Sequence, residues 1–413
     1  MKNSFLSEMK SRGYLNQCTD LENLEKISKD KSIKAYIGFD CTAPSLHVGS
    51  LLQIMLLRLL QRYGHQPIVL LGGGTTLIGD PSGKDSTRKI LKQKDIKKNI
   101  SSIKKLFEKL LPVKNKKIKP IFVDNYQWLS KLKYIDFLRE IGKHFTINKM
   151  LTFDSVKLRL DREQSLSYME FNYMILQSYD FYQLYKKHDC ILQMGGSDQW
   201  GNIVSGVELI RRILQKNSYG LTTPLITLSS GAKMGKTEKG AVWLDQKMFT
   251  PYDYWQFWRN TSDNDVKKFL NYFTEIEVNE LSEKIENEKD INNLKILLAN
   301  EATTIVHGTK AAKDCAATAK ETFVKGGLGK NIPVKTISKE KLSEGINIIE
   351  LIFQNGLVSS KGEVRRILKN NGIRVNDNVI NDEKKIINME NVLRDNSIKL
   401  SIGKKNHLKV KII

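Results

Sequence analysis

The stretch that decides the fold is KAYIGFDCTAPSLHVGSLLQIMLLRLLQRYGHQPIVLLGGG, residues 34–74. Its first seven residues form an apolar run of strand length, and its last nine form a second such run that ends in glycines. Between the two runs, aliphatic residues recur at helical spacing and stop at Gly64, the residue type that usually follows a helix end. Strand, helix and strand in this order predict a parallel crossover.

The same alternation continues to about residue 230. PIFVDNYQW (120–128) and CILQMG (190–195) are further strand candidates, and the segment from Ser165 to His188 is predicted to be one helix. PLITL (224–228) is the last strand candidate, ahead of a loop rich in Gly and Lys. These patterns predict a Rossmann-like α/β fold with a doubly wound parallel sheet, in which ligands bind at the carboxyl ends of the strands.

The rest of the chain divides into a helical region and a small C-terminal unit. From Asp245 to about Val324 no strand pattern occurs, and KGGLGKNIP (325–333) concentrates the Gly and Pro of a linker. Two helix patterns and a hairpin that bends at Asn376 and Asp377 follow. We expect a Rossmann-like domain in 1–230, the KMGKT loop with an α-helical domain in 231–324, a linker in 325–340 and an α+β domain in 341–413.

Composition excludes several classes of protein. The chain has 413 residues, 40% hydrophobic and 27% charged, which fits a folded protein of several domains and not a disordered one. The N-terminus has no apolar h-region and no apolar window reaches about 18 residues, so we expect a cytoplasmic protein without a membrane span. The four cysteines are far apart without a CxxC pair, which predicts reduced thiols and no structural metal.

The charge of the chain is strongly positive. The net charge is +22, and an excess of this size attracts a polyanion such as RNA or DNA. Residues 84–119 alone hold 14 Lys and Arg against 3 Asp and Glu, or +11. The alternative is a genome composition that favours Lys, Asn and Ile throughout, so charge by itself leaves nucleic-acid binding open.

Two loops that follow predicted strands carry candidate ligand groups. His47 and Gly49 stand at the predicted start of the first crossover helix, where free backbone N–H groups favour a phosphate. The second strand is followed by GGGTTLIGDPSGK (72–84). Asp80 in this loop could bind an ammonium group, and the cations Lys84 and Arg88 could bind a polyphosphate. A structural histidine and a plain glycine turn are the alternatives.

Two further patterns carry polar side chains. Tyr173, Gln177 and Asp180 fall at i, i+4 and i+7, so they project from one helix face, where a buried carboxylate needs a polar partner. KMGKT, residues 233–237, places two ammonium groups three residues apart, which suits a polyphosphate. A solvated basic loop is the alternative. Ser230 stands where a P-loop needs glycine, so this is not a Walker A motif.

Six motifs follow one another in a specific order: YIGFD (36–40), HVGS (47–50), GDPSGK (79–84), YMILQSYD (173–180), LQMGGSDQWGN (192–202) and KMGKT. Together they resemble the bacterial tyrosyl-tRNA synthetases, a family of class I aminoacyl-tRNA synthetases, over nearly the whole chain. HVGS resembles the HIGH signature of that class, and KMGKT resembles its KMSKS signature. The resemblance implies a homodimeric ligase that activates L-tyrosine with ATP and Mg²⁺ and transfers it to tRNA(Tyr).

The resemblance also implies roles for individual residues. Tyr36 and Asp180 would bind the phenol of the substrate, and its ammonium group would be bound by Asp80, Tyr173 and Gln177, with Gln193 supporting the pocket. The implied ATP-binding residues are Gly38, Asp40, Thr42, His47, Gly49, Gly196, Asp198, Gln199, Lys233, Lys236 and Thr237. The implied catalytic residues, which gather the β and γ phosphates, are His47, Lys84, Arg88, Lys233 and Lys236.

The C-terminal segment SSKGEVRRILKNNGIRVN (359–376) resembles an S4 RNA-binding domain. The tRNA contacts that follow from this resemblance are Lys361, Arg365, Arg366, Lys369 and Arg374, with Arg211 and Arg212 for the acceptor arm. Three residues depart from the family pattern and bear on ATP affinity: Cys41, Ser50 and Gln53.

Three other functions remain as alternatives at this point. A tryptophan-specific sibling and a simple nucleotidyltransferase share the predicted fold, and the phenol pair with the S4-like C-terminal segment argues against both. An RNA-binding protein that has kept a synthetase fold without its chemistry is the third. Absence of pyrophosphate exchange would favour it.

Overall fold

The structure is a computed structural model that describes residues 4–82, 91–113, 118–231, 234–237, 240–324, 334–393, 395–403 and 406–413. Its elements begin with α1 (Phe5–Ser11), β1 (Gln17–Cys18), α2 (Leu21–Asp30), β2 (Lys34–Phe39), α3 (Leu51–Arg62), β3 (Gln66–Leu71), α4 (Thr75–Ile78), α5 (Gln93–Leu110), β4 (Ile121–Asp124), α6 (Tyr126–Leu129), α7 (Tyr134–Glu140), α8 (Ile147–Leu151), α9 (Asp154–Asp161) and α10 (Tyr168–Phe171). They continue with α11 (Tyr173–His188), β5 (Cys190–Gly196), α12 (Trp200–Leu214), β6 (Tyr219–Thr223), β7 (Lys236–Thr237), β8 (Gly240–Ala241), α13 (Pro251–Arg259), α14 (Asp263–Phe273), α15 (Val278–Asn287), α16 (Ile291–His307) and α17 (Thr309–Val324). The last elements are β9 (Val334–Ile337), α18 (Lys339–Ser343), β10 (Ile346–Asn347), α19 (Ile348–Gln354), α20 (Lys361–Lys369), β11 (Ile373–Val375), β12 (Asn378–Ile380), β13 (Ile386–Ile387), β14 (Ser397–Ile402) and β15 (Asn406–Ile412).

The chain forms two compact units. The first comprises Met1–Gly235, Trp243–Met248 and Thr261–Leu294, and the second comprises Lys236–Val242, Phe249–Asn260 and Lys295–Ile413. The helical character predicted for residues 245–324 is confirmed, because α13 to α17 are the elements described there. These helices divide between the two units, with α14 and α15 in the first.

The first unit is built on a six-stranded sheet in the order β1-β6-β5-β2-β3-β4. All neighbours are parallel except β1, which pairs antiparallel with β6. The chain runs outward from β2 to β4 and then returns to the other side of β2, so the strand order reverses between β2 and β5. A doubly wound sheet opens a ligand crevice at such a reversal, and this confirms the predicted fold class.

Apolar side chains of the strands pack against helix α11. Tyr36, Ile68 and Leu70 on the strands pack with Phe181 and Leu184 of α11 in one continuous core. A second core under α7 to α10 joins α11 and α12 through residues such as Met174, Ile175 and Leu209. The helix α11 therefore lies between two cores, and its polar face is fixed in position by both.

Two of the predicted elements are wrong in detail. The last strand of the six-stranded sheet is β6, which ends at Thr223. PLITL (224–228) is not an extended strand, since Pro224 has no N–H for a sheet ladder. The segment from Ser165 to His188 is two helices. Ser167 caps α10 with a full capping box, and the chain restarts at Asn172 to form α11.

The C-terminal part of the second unit is a five-stranded sheet in the order β12-β11-β14-β15-β9. Asn376 and Asp377, both at positive φ, form the predicted bend between β11 and β12. Helices α19 and α20 bury Leu351, Val364 and Leu368 in the same core as the sheet. Residues 334–340, predicted as linker, instead form β9 and the start of α18, because β9 pairs parallel with β15; residues 325–333 lie outside the described residues.

No helix in the described part of the chain combines the length and the apolar character needed to cross a membrane. The four cysteines are free thiols.

Candidate active site

A cavity of about 310 Å³ lies where the order of the strands reverses. Its walls include residues at the ends of β2, β3 and β5, and the volume suits a small-molecule ligand, for which about 300 Å³ or more is typical. The sequence-predicted residues that line it come from five different segments: Tyr36, Gly38, Asp40, Gly49, Asp80, Tyr173, Gln177, Asp180, Gly196, Asp198 and Gln199. The structure therefore brings most of the described candidates together.

Asp180 is the most deeply buried carboxylate of the cavity, with 1% of its surface exposed. Its Oδ1 accepts the indole N–H of Trp128 at 2.7 Å, and its Oδ2 accepts an amide N–H of Asn125 at 2.9 Å. Burial raises the pKa of Asp180 to about 7, although both hydrogen bonds lower it. The group thus changes charge close to neutral pH.

Tyr36 presents a hydroxyl with an unmet hydrogen bond. The side chain is 1% exposed, and its Oη has no hydrogen-bond partner among the described residues. Burial, and then the charge of Asp180, raise the pKa of Tyr36 well above its ordinary value, so the phenol stays protonated. An unpaired buried hydroxyl costs free energy, and a polar ligand group in the cavity would remove that cost.

The remaining carboxylates are tied to polar neighbours. Asp80 accepts the side-chain amide of Gln199 at 2.9 Å and the backbone N–H of Ser82 at 2.9 Å. Asp40 accepts the hydroxyls of Thr75 at 2.9 Å and Tyr173 at 3.4 Å. These bonds fix the carboxylates in place ahead of ligand binding.

His47 and Gly49 make a different contact from the one expected. The Nδ1 of His47 accepts the backbone N–H of Gly49 at 3.0 Å, so this N–H is not left for a phosphate. Because Nδ1 accepts, Nε2 carries the proton of the neutral ring and is the atom that can donate. Gly49 is needed for space, since a Cβ there would lie 2.6 Å from the His47 ring.

Met234 and Gly235 of the KMGKT motif lie close to this turn. Gly235 has a φ of +94°, and a Cβ on it would lie 3.0 Å from both the Gly49 nitrogen and His47 Nδ1. Met234 next to it is buried. The two signature motifs therefore touch through glycines, and a larger residue at position 235 would separate them.

Several predicted residues lie elsewhere. Gln193 is buried beside Gly206 and does not line the cavity, and Thr42 is exposed. Lys84, Arg88 and Lys233 lie outside the described residues, and Lys236 and Thr237 are described only as the backbone of β7. Two of the three departures from the family pattern, Ser50 and Gln53, line the cavity. The third, Cys41, is buried next to the cavity residue Asp40 and donates its backbone N–H to the Thr76 hydroxyl.

Sequence reasoning missed the residues that hold Asp180. Asn125 and Trp128 follow β4 directly, and Asn125 also donates to the Thr75 hydroxyl at 3.0 Å and accepts the Gly74 N–H at 2.7 Å. Their position at the carboxyl end of a predicted parallel strand was the available signal. It was weak because the crossover that brings β4 beside β3 is long.

The basic residues proposed for RNA are exposed. Arg211 and Arg212 are near the C-terminal end of α12 and both pair with Glu208, at 3.0 and 3.5 Å. In the second unit, Lys361 pairs with Glu350 at 2.5 Å and Arg365 with Glu383 at 3.6 Å. The exposed residues Arg366, Lys369 and Arg374 complete the set.

Comparison with known proteins identifies the family. Residues 28–324 match the family tRNA synthetases class I (W and Y), and residues 324–410 match the Tyrosine--tRNA ligase SYY-like C-terminal domain. The chain is 62% identical over 413 residues to the Tyrosine--tRNA ligase of Pelagibacter ubique, covering 100% of both chains. It is 51% identical over 409 residues to that of Rickettsia massiliae, covering 99% of this chain and 100% of the relative.

A solved structure of a tyrosyl-tRNA synthetase has a similar fold. The C-terminally truncated mitochondrial tyrosyl-tRNA synthetase of Aspergillus nidulans superposes with a TM-score of 0.70 at 29% identity, over 78% of this chain and 95% of that one. The fold agrees with that of the relatives, and the chain belongs to the tyrosine-tRNA ligase family of class I aminoacyl-tRNA synthetases.

Proposed function

We propose that the cavity binds L-tyrosine and ATP and that its residues carry the tyrosine-tRNA ligase activity of the family. The observation that supports this most is the Tyr36 hydroxyl, which is buried without a described partner and lines the same cavity as Asp180. A substrate phenol is both donor and acceptor, so it satisfies Tyr36 and donates to the Asp180 carboxylate. Phenylalanine offers neither group.

The other end of the amino acid meets a second polar set. Asp80 supplies the negative charge for the ammonium group, and Tyr173 and Gln177 lie on the same helix face as Asp180. The Oε1 of Gln177 is buried without a described partner and can accept an ammonium proton. Gln193 supports the wall from behind.

ATP is the second substrate. We assign its contacts to the glycines of the cavity wall, to the polar side chains beside them and to the basic signature residues: Gly38, Gly49, Gly196, Asp40, Thr42, Asp198, Gln199, His47, Lys84, Arg88, Lys233, Lys236 and Thr237. Gly196 supports this, since a Cβ there would lie 2.7 Å from Asp198 Oδ1 and block close approach. The His47 Nε2–H donates to a phosphate oxygen.

The chemistry needs positioning and not an enzyme nucleophile. A carboxylate oxygen of tyrosine forms a bond to the α-phosphorus of ATP as the bond from that phosphorus to the pyrophosphate oxygen breaks, which gives tyrosyl-adenylate and pyrophosphate. A hydroxyl of the 3′-terminal ribose of tRNA then attacks the tyrosyl carbonyl, and AMP leaves with the bonding electrons. Fixed donors around the phosphates stabilise the charge that develops.

Mg²⁺ fits this site as a companion of ATP. The described residues hold no group of three or more His, Cys, Asp and Glu side chains arranged for a metal ion. Mg²⁺ usually binds through substrate phosphates and one or two carboxylates, a role open to Asp40 or Asp198. When bound, the ion neutralises phosphate charge.

RNA binding is assigned to the basic residues outside the cavity. We propose that the C-terminal sheet with α19 and α20 is an S4-like domain, and that its exposed cations contact tRNA phosphates: Lys361, Arg365, Arg366, Lys369 and Arg374. Arg211 and Arg212 would contact the acceptor arm. We keep the proposed domain boundaries at residues 230 and 324. The C-terminal domain begins at β9 instead of residue 341.

The protein is proposed to be a cytoplasmic homodimer. Helices α7 to α10 expose an unusual number of large apolar side chains: Tyr134, Ile135, Leu138, Ile147, Leu151, Leu158, Leu160 and Tyr168. The hydroxyls of Tyr134 and Tyr168 lie 3.0 Å apart, so both ends of this segment belong to one surface. A second copy would cover such an apolar patch.

Charging of a tRNA(Tyr) transcript by the full chain tests the proposal. Attachment of tyrosine, and not of phenylalanine or tryptophan, is expected. Attachment of tryptophan would indicate the sibling enzyme. RNA binding without any charging, in a folded protein, would indicate a synthetase fold that has lost its chemistry.

A further inference from the structure

Two side chains of α14 hold the loop that precedes the KMGKT motif. Asp265 accepts the backbone N–H of Ser229 through Oδ2 at 2.9 Å. Lys268, one turn later, donates through Nζ to the carbonyl of Thr227 at 2.9 Å. The two side chains also pair with each other at 2.9 Å. We refer to Asp265 and Lys268 as the α14 clamp.

Both residues of the α14 clamp are charged, although Asp265 is buried. Asp265 is 2% exposed, and a carboxylate in such a place is costly unless its oxygens are bonded. Burial raises the pKa of Asp265. The Ser229 hydrogen bonds and the Lys268 charge together lower it by more, so the pKa lies below its ordinary value. Asp265 is therefore ionised at neutral pH, and both clamp bonds are charge-assisted.

The helix that carries the clamp is itself anchored in the first unit. Its apolar face is fully buried: Val266, Phe269, Leu270 and Phe273. At its C-terminal end, the buried Arg12 donates to the carbonyls of Asn271 and Thr274 at 3.1 and 3.0 Å. The clamp thus ties the loop to a rigid part of the core.

The loop leads from the cavity to the signature lysine. Ile226 lines the cavity, and its carbonyl accepts the Met234 N–H at 3.4 Å. The Gly231 N–H donates to Leu228 at 2.8 Å. With Met234 buried and Gly235 against His47, the chain is fixed on both sides of residues 232 and 233.

We propose that Asp265 and Lys268 are positioning residues for adenylate formation, because they fix Thr227 and Ser229 in the loop between Ile226 of the cavity wall and the described part of the KMGKT motif. The inference rests on the proposed function, in which Lys233 meets the phosphates of ATP. Neither clamp residue lines the cavity, so we expect tyrosine affinity to change less than kcat when either is replaced. A shift of about 1 Å in a group that stabilises the transition state costs on the order of 100-fold in rate, so the expected loss lies in kcat.

The experiment measures tyrosine-dependent ATP and pyrophosphate exchange by the full chain in three variants. Asp265→Ala removes the carboxylate and its bonds to Ser229 and Lys268. Asp265→Asn keeps an oxygen for the Ser229 N–H but loses the charge, and Lys268→Met removes the bond to Thr227. Lys267→Met is the matched control, since Lys267 is an exposed cation on the same helix. Tyrosine affinity by equilibrium dialysis and thermal unfolding are recorded for each.

Asp265→Ala is expected to lower the exchange kcat at least 10-fold with the tyrosine Kd and KM within twofold of wild type. Asp265→Asn and Lys268→Met should fall between it and the control, which stays within twofold. Wild-type kcat in both Asp265→Asn and Lys268→Met, or a parallel loss of tyrosine affinity, would overturn the inference. If Asp265→Ala does not fold, these two variants still decide it. A wild-type chain without exchange would instead contradict the proposed function, and the inference would fall with it.

Discussion

Replacing Asp180 by alanine should remove most of the preference for tyrosine over phenylalanine. A hydrogen bond from the substrate phenol to a buried carboxylate contributes about 1.5–3 kcal/mol, which corresponds to roughly 10- to 150-fold in kcat/KM. Phenylalanine makes no such bond in either protein, so its kcat/KM should change less than that of tyrosine. The ratio of the two kcat/KM values should therefore fall at least 10-fold.

The variant also leaves two buried donors without their acceptor, the indole of Trp128 and the amide of Asn125. Each costs about 1–3 kcal/mol of folding free energy, so thermal unfolding is measured beside the kinetics. The assay is amino-acid-dependent ATP and pyrophosphate exchange with tyrosine and with phenylalanine. Asp30→Ala, which removes an exposed carboxylate, is the control. A folded Asp180→Ala protein with an unchanged ratio would refute the phenol assignment.

The same carboxylate gives the wild-type enzyme a pH dependence. The pKa of Asp180 is raised to about 7, so the group gains a proton as the pH falls from 8 to 6 and can no longer accept the phenol proton as a carboxylate. The deprotonated fraction drops from about 0.91 to about 0.09, so kcat/KM for tyrosine should fall about tenfold over this range. A profile for tyrosine that matches the one for phenylalanine would contradict this.

Three further changes test neighbouring parts of the account. Asn125→Ala removes a hydrogen bond that lowers the pKa of the buried carboxylate, so the midpoint of the tyrosine profile should move to higher pH; a midpoint that stays in place would exclude this coupling. Gly235→Ala places a methyl group 3.0 Å from the adjacent turn at a φ of +94°, and exchange should drop at least 10-fold with tyrosine affinity retained, as measured by equilibrium dialysis. Ile135→Glu puts a charge on the exposed apolar patch and should yield monomers in sedimentation; a dimer of unchanged stability would place the interface elsewhere.

Local patterns were enough to predict strands β2 to β5 of the six-stranded sheet. Strand β2 and helix α3 follow from hydrophobic length and period, and Gly64 marks the turn between helix and strand. The misplaced last strand shows where such patterns fail: PLITL is as apolar as a strand, but Pro224 ends the ladder and β6 lies just before it. The segment predicted as one helix is two, because the capping box at Ser167 starts α10 and the helix is interrupted at Asn172 before α11 begins.

The site was predictable to the extent that it depends on one element. Tyr173, Gln177 and Asp180 share a face because a helix has a fixed period, and all three line the cavity. The contact of Asn125 with Asp180 depends on how β4 is placed relative to α11. Between Asp124, the end of β4, and Tyr173, the start of α11, lie 48 residues and several helices. No local pattern encodes such a contact. The contacts of the α14 clamp with Thr227 and Ser229 could not be predicted from the sequence for the same reason.

The central claim is that this chain activates tyrosine through a pocket that recognises the phenol. The most direct test is ATP and pyrophosphate exchange by the purified full chain, without tRNA, with each of tyrosine, phenylalanine and tryptophan. We expect a kcat/KM for tyrosine at least about 10-fold above that for phenylalanine or tryptophan. Equal exchange with phenylalanine, or no exchange with any of the three in a folded protein, would contradict it.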